Sequence, residues 1–119
     1  MNIAQFCAGT GIFLLMHAMI WFSMNLQFVS EEWKARSLII SIAISIPITL
    51  LSYYGTRILY STLEESLWAV RFIAFGASYL VFPILTWVLL KESMMTPKTL
   101  VCVLLSLIIV SIQVFWKSN

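Results

Sequence analysis

The run from Leu67 to Leu90, LWAVRFIAFGASYLVFPILTWVLL, decides what this chain can become. Arg71 is its one charged residue, and Lys91-Glu92 closes it with a polar stop. At about 1.5 Å per residue, a helix of this length reaches roughly 36 Å, enough to cross a bilayer with some tilt. Three further apolar runs accompany it, at about 3–29, 37–60 and 99–116, each long enough to span. Lipid offers no partner to unpaired backbone groups, so these runs must be helices. The loops between them are short: Ser30–Arg36, Ser61–Ser66 and Lys91–Lys98. The expected fold class is therefore all-α. Residues 1–119 form a single membrane domain, a bundle of four transmembrane helices in which neighbouring helices are antiparallel and both termini lie on one side.

Composition excludes the main alternatives. Only 10% of the residues are charged and 61% are apolar, whereas a soluble domain carries about 25% charged residues. Lipid must solvate most of the outside, so the bilayer is the first partner. The net charge of +2 comes with no basic run, which argues against nucleic acid. There is no Asp, hence no Ser-His-Asp set. One His and two distant Cys do not make a zinc site, and no glycine-rich phosphate loop appears. The chain is not expected to be an enzyme, nor to need a cofactor or metal. Cys7 and Cys102 sit in apolar runs near opposite membrane faces, too far apart for a disulfide, and are read as small packing residues. The first run lacks a basic n-region and is too long for a signal-peptide core, so it is expected to be a retained helix.

Helix 1 carries His17 near mid-membrane. Ionisable groups at that depth are costly and mark function by default. Thr10, His17, Trp21 and Met24 recur at spacings of seven, four and three and share a face. The alternative for His17 is a neutral imidazole bonded to a neighbouring helix. Met16, Met19 and Met24 suggest a soft metal, but no second His accompanies them.

Helix 2 repeats Ser37, Ser41 and Ser45 every four residues, and Thr49, Ser52 and Thr56 continue the stripe. Small hydroxylated residues at this spacing let helices approach and bond across the contact; a polar pathway is the functional alternative. Pro47 predicts a bend. Tyr53 and Tyr54 follow, then Arg57, which can snorkel to the interface. The second loop offers two capping boxes, Ser61-x-x-Glu64 and Thr62-x-x-Glu65. Glu64 and Glu65 lie between Arg57 and Arg71, so a charge cluster, an anchor rather than a gate, is expected there. Thr96 and Pro97 predict the start of helix 4. In helix 4, Ser106 and Gln113 share a face that suits an interhelical contact. Trp21, Trp33 and Trp87 are expected in one aromatic belt, and Tyr60, Trp68 and Trp116 in the other.

The first and third loops carry Lys34, Arg36, Lys91 and Lys98. The opposite face carries Lys117, with Arg57 and Arg71 near the helix ends. The positive-inside rule places loops 1 and 3 in the cytoplasm, and the small bias leaves dual topology open. A short four-helix chain fits a bacterial inner membrane.

Helix 3 and its exit resemble the small multidrug resistance family of the drug/metabolite transporter superfamily. Gly76-Ala77-Ser78 is similar to that family's Gly-x-Gly patch, where helices cross closely. Leu85-Thr86-Trp87 followed by Lys91-Glu92 resembles its Leu-Ser-Trp run and the Gly-Glu or Gly-Gln that ends the helix. Ser66-Leu67-Trp68-Ala69 resembles the start of its third helix. The resemblance covers about residues 66–109, and the rest of the chain in outline. It implies an antiparallel dimer with a central site, and export of cations, guanidinium or lipid-linked sugars. Two features depart from the family: helix 1 has no Asp or Glu, and helix 4 has no glycine for dimer contact. A carboxylate for which proton and cation compete is thus missing, and His17 stands in that region.

Two functions follow as expectations. The first is a dimeric transporter for a small or amphiphilic solute or a lipid-linked substrate, which would pass Thr10, His17, Trp21, Tyr53, Tyr54, Gly76 and Ser78. The alternative is a non-transporting subunit packed in a larger membrane complex.

Overall fold

The computed structural model describes residues 2–92 and 95–116. Ser93 and Met94 of the third loop, and Lys117, counted in the charge balance, lie outside the described residues. The described chain is all-α, with α1 Ile3–Asn25, α2 Glu31–Thr62, α3 Leu67–Leu90 and α4 Pro97–Phe115. A short 3-10 turn, Leu26–Phe28, prolongs α1. All four helices are long and apolar enough to cross a membrane. The protein is an integral, multi-pass membrane protein.

Local chemistry sets the ends. Asn2, Ser30, Ser66 and Thr96 cap the four helices, each side chain accepting a backbone N–H from three residues on. Pro97 follows Thr96 at the helix start, where a missing N–H costs nothing. α3 begins and ends where the sequence predicts. α2 does not: the expected first loop, Ser30–Arg36, is helical from Glu31 onward. Ser30 supplies the cap, and Glu31 and Glu32 in the first turn meet the positive end of the helix dipole. The connection shrinks to Val29 and Ser30, and α2 runs on unbroken through Pro47.

The second connection also differs from expectation. Ser61 and Thr62 form no capping box. Both belong to the last turn of α2, where their hydroxyls donate to the Arg57 and Ile58 carbonyls. Ser66 caps α3 instead, through Ala69 N–H. Glu64 and Glu65 make the reversal in the left-handed region, at φ 58° and 59°.

The helices stand in the order α2–α1–α3–α4. The molecule measures 53 × 37 × 19 Å, about twice as wide as it is thick, so the four spans form a thin layer. α1 and α2 are antiparallel. Gly9 faces Leu59, Phe13 faces Gly55, and further along Ser23 bonds Ser41 at 2.6 Å. α1 and α3, the central pair, run parallel, since the path from His17 to Trp21 follows the path from Ala74 to Thr86. The apolar core lies toward the loop-2 end, where Phe13, Met16, Leu59, Leu63, Val70 and Ile73 meet. Elsewhere large side chains such as Leu38, Ile46, Leu104 and Phe115 face outward to lipid. Cys7 and Cys102 are free and exposed, so they are not the packing residues the sequence suggests.

α3 closes on Lys91, whose φ of 60° is left-handed and whose N–H bonds back to Thr86 and Trp87. A β-carbon there is strained and the side chain is exposed. Lys91→Gly is expected to raise stability by about 0.5–1 kcal/mol, the gain from relieved strain being offset in part by glycine's unfolded-state entropy. Thermal unfolding in detergent measures it.

Candidate functional site

The layer leaves a cleft of about 250 Å³ between α1 and α3. His17, Trp21, Met24 and Asn25 line it from α1, and Ser78 and Phe82 from α3. The residues at 17, 21 and 25 repeat every four positions, so one face of α1 carries an imidazole, an indole and an amide. His17 lies near the middle of the span from Ile3 to Phe28. The backbone of Ala74 is a polar neighbour of its ring, while the buried Nε2 has no hydrogen-bond partner. No hydrogen bond occupies the Asn25 amide or the Ser78 hydroxyl among the described residues.

Trp21 forms part of the cleft wall, one turn beyond His17 toward the first loop. It is only 3% exposed, and its Nε1–H donates to Thr86 Oγ1 at 2.9 Å, a buried bond that ties α1 to α3. Trp21 is therefore an interior residue rather than a member of the aromatic belt. Trp33, Trp87, Tyr60, Trp68 and Trp116 are exposed as a belt requires.

The structure brings together three of the seven expected pathway residues: His17, Trp21 and Ser78. Tyr53 and Tyr54 lie elsewhere, outward on α2. The reason is the α1–α2 contact. Gly55 and Leu59 face α1; at about 100° per residue, Tyr53 is turned about 200° and Tyr54 about 100° from Gly55, so neither points at α1. Thr10 is partly buried, with a partnerless hydroxyl, and does not line the cleft. Gly76 faces the other way, toward α4, where an added Cβ would stand 3.3 Å from Val110. It is a crossing point between α3 and α4 and does not line this cleft. Ser106, buried on the same side of α4, completes that contact with its hydroxyl turned to the Cys102 carbonyl.

The serine stripe of α2 splits. Ser41 bonds across to Ser23, but Ser37 and Ser45 bond back to the Lys34 and Ile42 carbonyls of their own helix. The close approach is made instead by Gly9 and Gly55. Arg57, Glu64, Glu65 and Arg71 are all exposed near the second loop, and no ion pair joins them among the described residues. The expected charge cluster is a proximity without pairing. Asn25, Phe82 and Thr86 were not among the expected site residues. The spacing of Asn25 behind His17 and Trp21 is the signal that finds the first of them.

No family model, curated protein or solved structure matches the chain.

Within the cleft the polar groups are neutral amide, hydroxyl and indole, with one imidazole and no carboxylate. Such a wall can hydrogen-bond a solute and exchange a proton with it. It offers no fixed negative charge to hold a cation. No group of three or more His, Cys, Asp or Glu side chains suited to a metal ion occurs among the described residues.

Proposed function

We propose that the chain is a small dimeric membrane transporter, similar to the small multidrug resistance proteins, that moves a small or amphiphilic solute or a lipid-linked substrate. The observation that carries this reading is the His17 imidazole. It sits at mid-membrane beside a cleft between two parallel helices, and its buried Nε2 has no partner. A ring nitrogen held at that depth without a partner is costly, and ionisable groups kept there mark function by default. The thinness of the layer supports a dimer, because a second copy laid against the cleft would enclose it. The left-handed Lys91 supports the resemblance: it stands where the family has glycine, the residue such a φ favours. The absence of a carboxylate in the cleft points to a neutral or anionic head on the substrate rather than a cation. The membrane is a bacterial inner membrane, with the first and third connections in the cytoplasm; a chain inserting both ways would fit the small charge bias.

Reconstitution tests it. Vesicles containing the purified chain, with a pH gradient imposed, are expected to show solute-dependent proton movement reported by a lumenal dye. His17→Ala is expected to bring that movement down to the level of empty vesicles. No flux in either protein would sink the transport reading; equal flux in both would remove His17 from it. The second reading, a non-transporting subunit of a larger complex, draws on the missing helix-1 carboxylate. The mass of the intact assembly after gentle extraction separates the two: a homodimer supports the first, a heavier assembly with other chains the second.

A further inference from the structure

A second cleft, a shallow, open groove of about 470 Å³, lies toward the loop-2 end of α2, and it shares no lining residue with the His17 cleft. Ser52, Tyr53, Thr56, Arg57 and Tyr60 line it from α2, and Leu67 from the first turn of α3. Positions 53, 56, 57 and 60 share one helix face, so the guanidinium of Arg57 is flanked one turn away on each side by a tyrosine. Arg57 stands just over one turn before the end of α2, the depth at which a long cationic side chain reaches the headgroup region.

We propose that this cleft binds the phosphate of an anionic phospholipid, with Arg57 as its charged ligand and the hydroxyls of Tyr53, Tyr60, Thr56 and Ser52 as hydrogen-bond donors. Three observations carry the proposal, and none depends on the transport reading. First, Arg57 has no ion-pair partner among the described residues, although Glu64 and Glu65 lie a few positions away in the chain. Their left-handed backbone sets them in the reversal, outside the cleft lining. At headgroup depth its guanidinium meets lipid phosphates, and the protein supplies no anion to compete with them. Second, the hydroxyls in the cleft are unspent. Ser45, Thr49, Ser61 and Thr62 on the same helix all donate back to their own helix's carbonyls. Ser52 and Thr56, the two in the cleft, make no such bond among the described residues, and neither tyrosine hydroxyl has a protein partner. Third, the cleft opens beside apolar surface fit for acyl chains. Leu67 forms part of its wall, and the next residue, Trp68, is 69% exposed and stacks on Phe72.

The second loop itself supplies no net long-range attraction. Within the stretch from Arg57 to Arg71 the two arginines are matched in number by Glu64 and Glu65, so the charge around the second loop is balanced. Selection for an anionic lipid here must come from direct contact with Arg57, which fixes the choice of control.

The full chain is placed in phosphatidylcholine vesicles containing a minority of phosphatidylglycerol, extracted gently, and weighed by native mass spectrometry to count each lipid retained. The expected result is retention of phosphatidylglycerol over phosphatidylcholine by roughly fivefold relative to the bilayer ratio, the scale of one arginine acting on an anionic headgroup. Arg57→Gln is expected to return the ratio to that of the bilayer. Arg36→Gln, an exposed arginine at the other end, is expected to leave it unchanged. Equal effects of the two substitutions, or no effect of Arg57→Gln, would overturn the proposal. Should Arg57→Gln fail to fold, the Tyr53→Phe/Tyr60→Phe pair, which keeps both rings and the arginine, is expected to lower the amount of phosphatidylglycerol retained per chain roughly threefold by loss of two hydroxyl donors to its phosphate; unchanged retention there is equally fatal. Inorganic phosphate added to the chain in phosphatidylcholine alone tests the other source. If it binds with the same Arg57 dependence while phosphatidylglycerol shows no preference, the ligand is free phosphate and the lipid assignment falls.

Discussion

Leu59→Ala is expected to lower the stability of the purified protein by about 2 kcal/mol, at the low end of the range for buried leucines in water-soluble proteins. Leu59 has no exposed surface and sits where α1, α2 and α3 meet. In a soluble protein the loss would combine a transfer term with a cavity term. Lipid tails are as apolar as leucine, so the transfer term fades here and the lost packing contacts remain. Gly9 makes the prediction sharper. A Cβ added at Gly9 would stand 2.6 Å from Leu59 Cγ and 2.8 Å from Cδ2. Leu59 is enclosed and cannot swing aside, so Gly9→Ala alone should force α1 and α2 apart and cost about 1–3 kcal/mol. Together the two substitutions exchange a large side chain facing a glycine for two small ones facing each other. The double variant is expected to be less destabilised than the sum of the singles by about 1 kcal/mol or more. Unfolding in mixed micelles, followed by tryptophan fluorescence, reads all three variants. Simple additivity would mean that the Gly9–Leu59 contact does not form.

The spans were legible because length and apolarity suffice to define them in lipid. The limits of α3 were legible because both are marked, by Ser66 as cap and by Lys91-Glu92 as stop. The start of α2 was not. A charged stretch reads as a loop by hydropathy, yet in SEEWKAR the serine caps, the glutamates suit the first turn, and Lys34, Ala35 and Arg36 are good helix formers. The reversal at Glu64-Glu65 was hidden because nothing in two glutamates announces a left-handed backbone. Of the site, the α1 half followed from spacing, with His17 and Trp21 on one face. The α2 half misled. Tyr53 and Tyr54 are polar aromatics within a span, and only the seating of Phe13 on Gly55 decides that they turn away from α1. Helix periodicity groups residues into faces; which face meets which neighbour is a tertiary fact that one sequence does not carry.

Trp21 is the residue where the stability of the α1–α3 pair and the proposed transport are most closely joined, and its variants are expected to separate them. Trp21→Ala should cost about 3–5 kcal/mol, because it removes the largest buried side chain at the α1–α3 contact and opens the His17 cleft. Most of that loss is packing. The hydrogen bond to Thr86 contributes a smaller share, since interhelical bonds in membrane proteins average about 0.6 kcal/mol. Trp21→Phe and Thr86→Val are each expected to cost about 1 kcal/mol, the second because it leaves the indole N–H buried without an acceptor. Combined, they should cost less than their sum, as the second substitution removes a bond the first has already broken. Thr86→Ser keeps the acceptor oxygen and should stay near the parent protein. Flux measured on the same set then assigns the role of the bond. If the Trp21–Thr86 contact only holds the helices, flux will follow the folded fraction in every variant. If it also seals the wall of the cleft, Thr86→Val will leak protons across the membrane without solute while remaining folded, and Thr86→Ser will not.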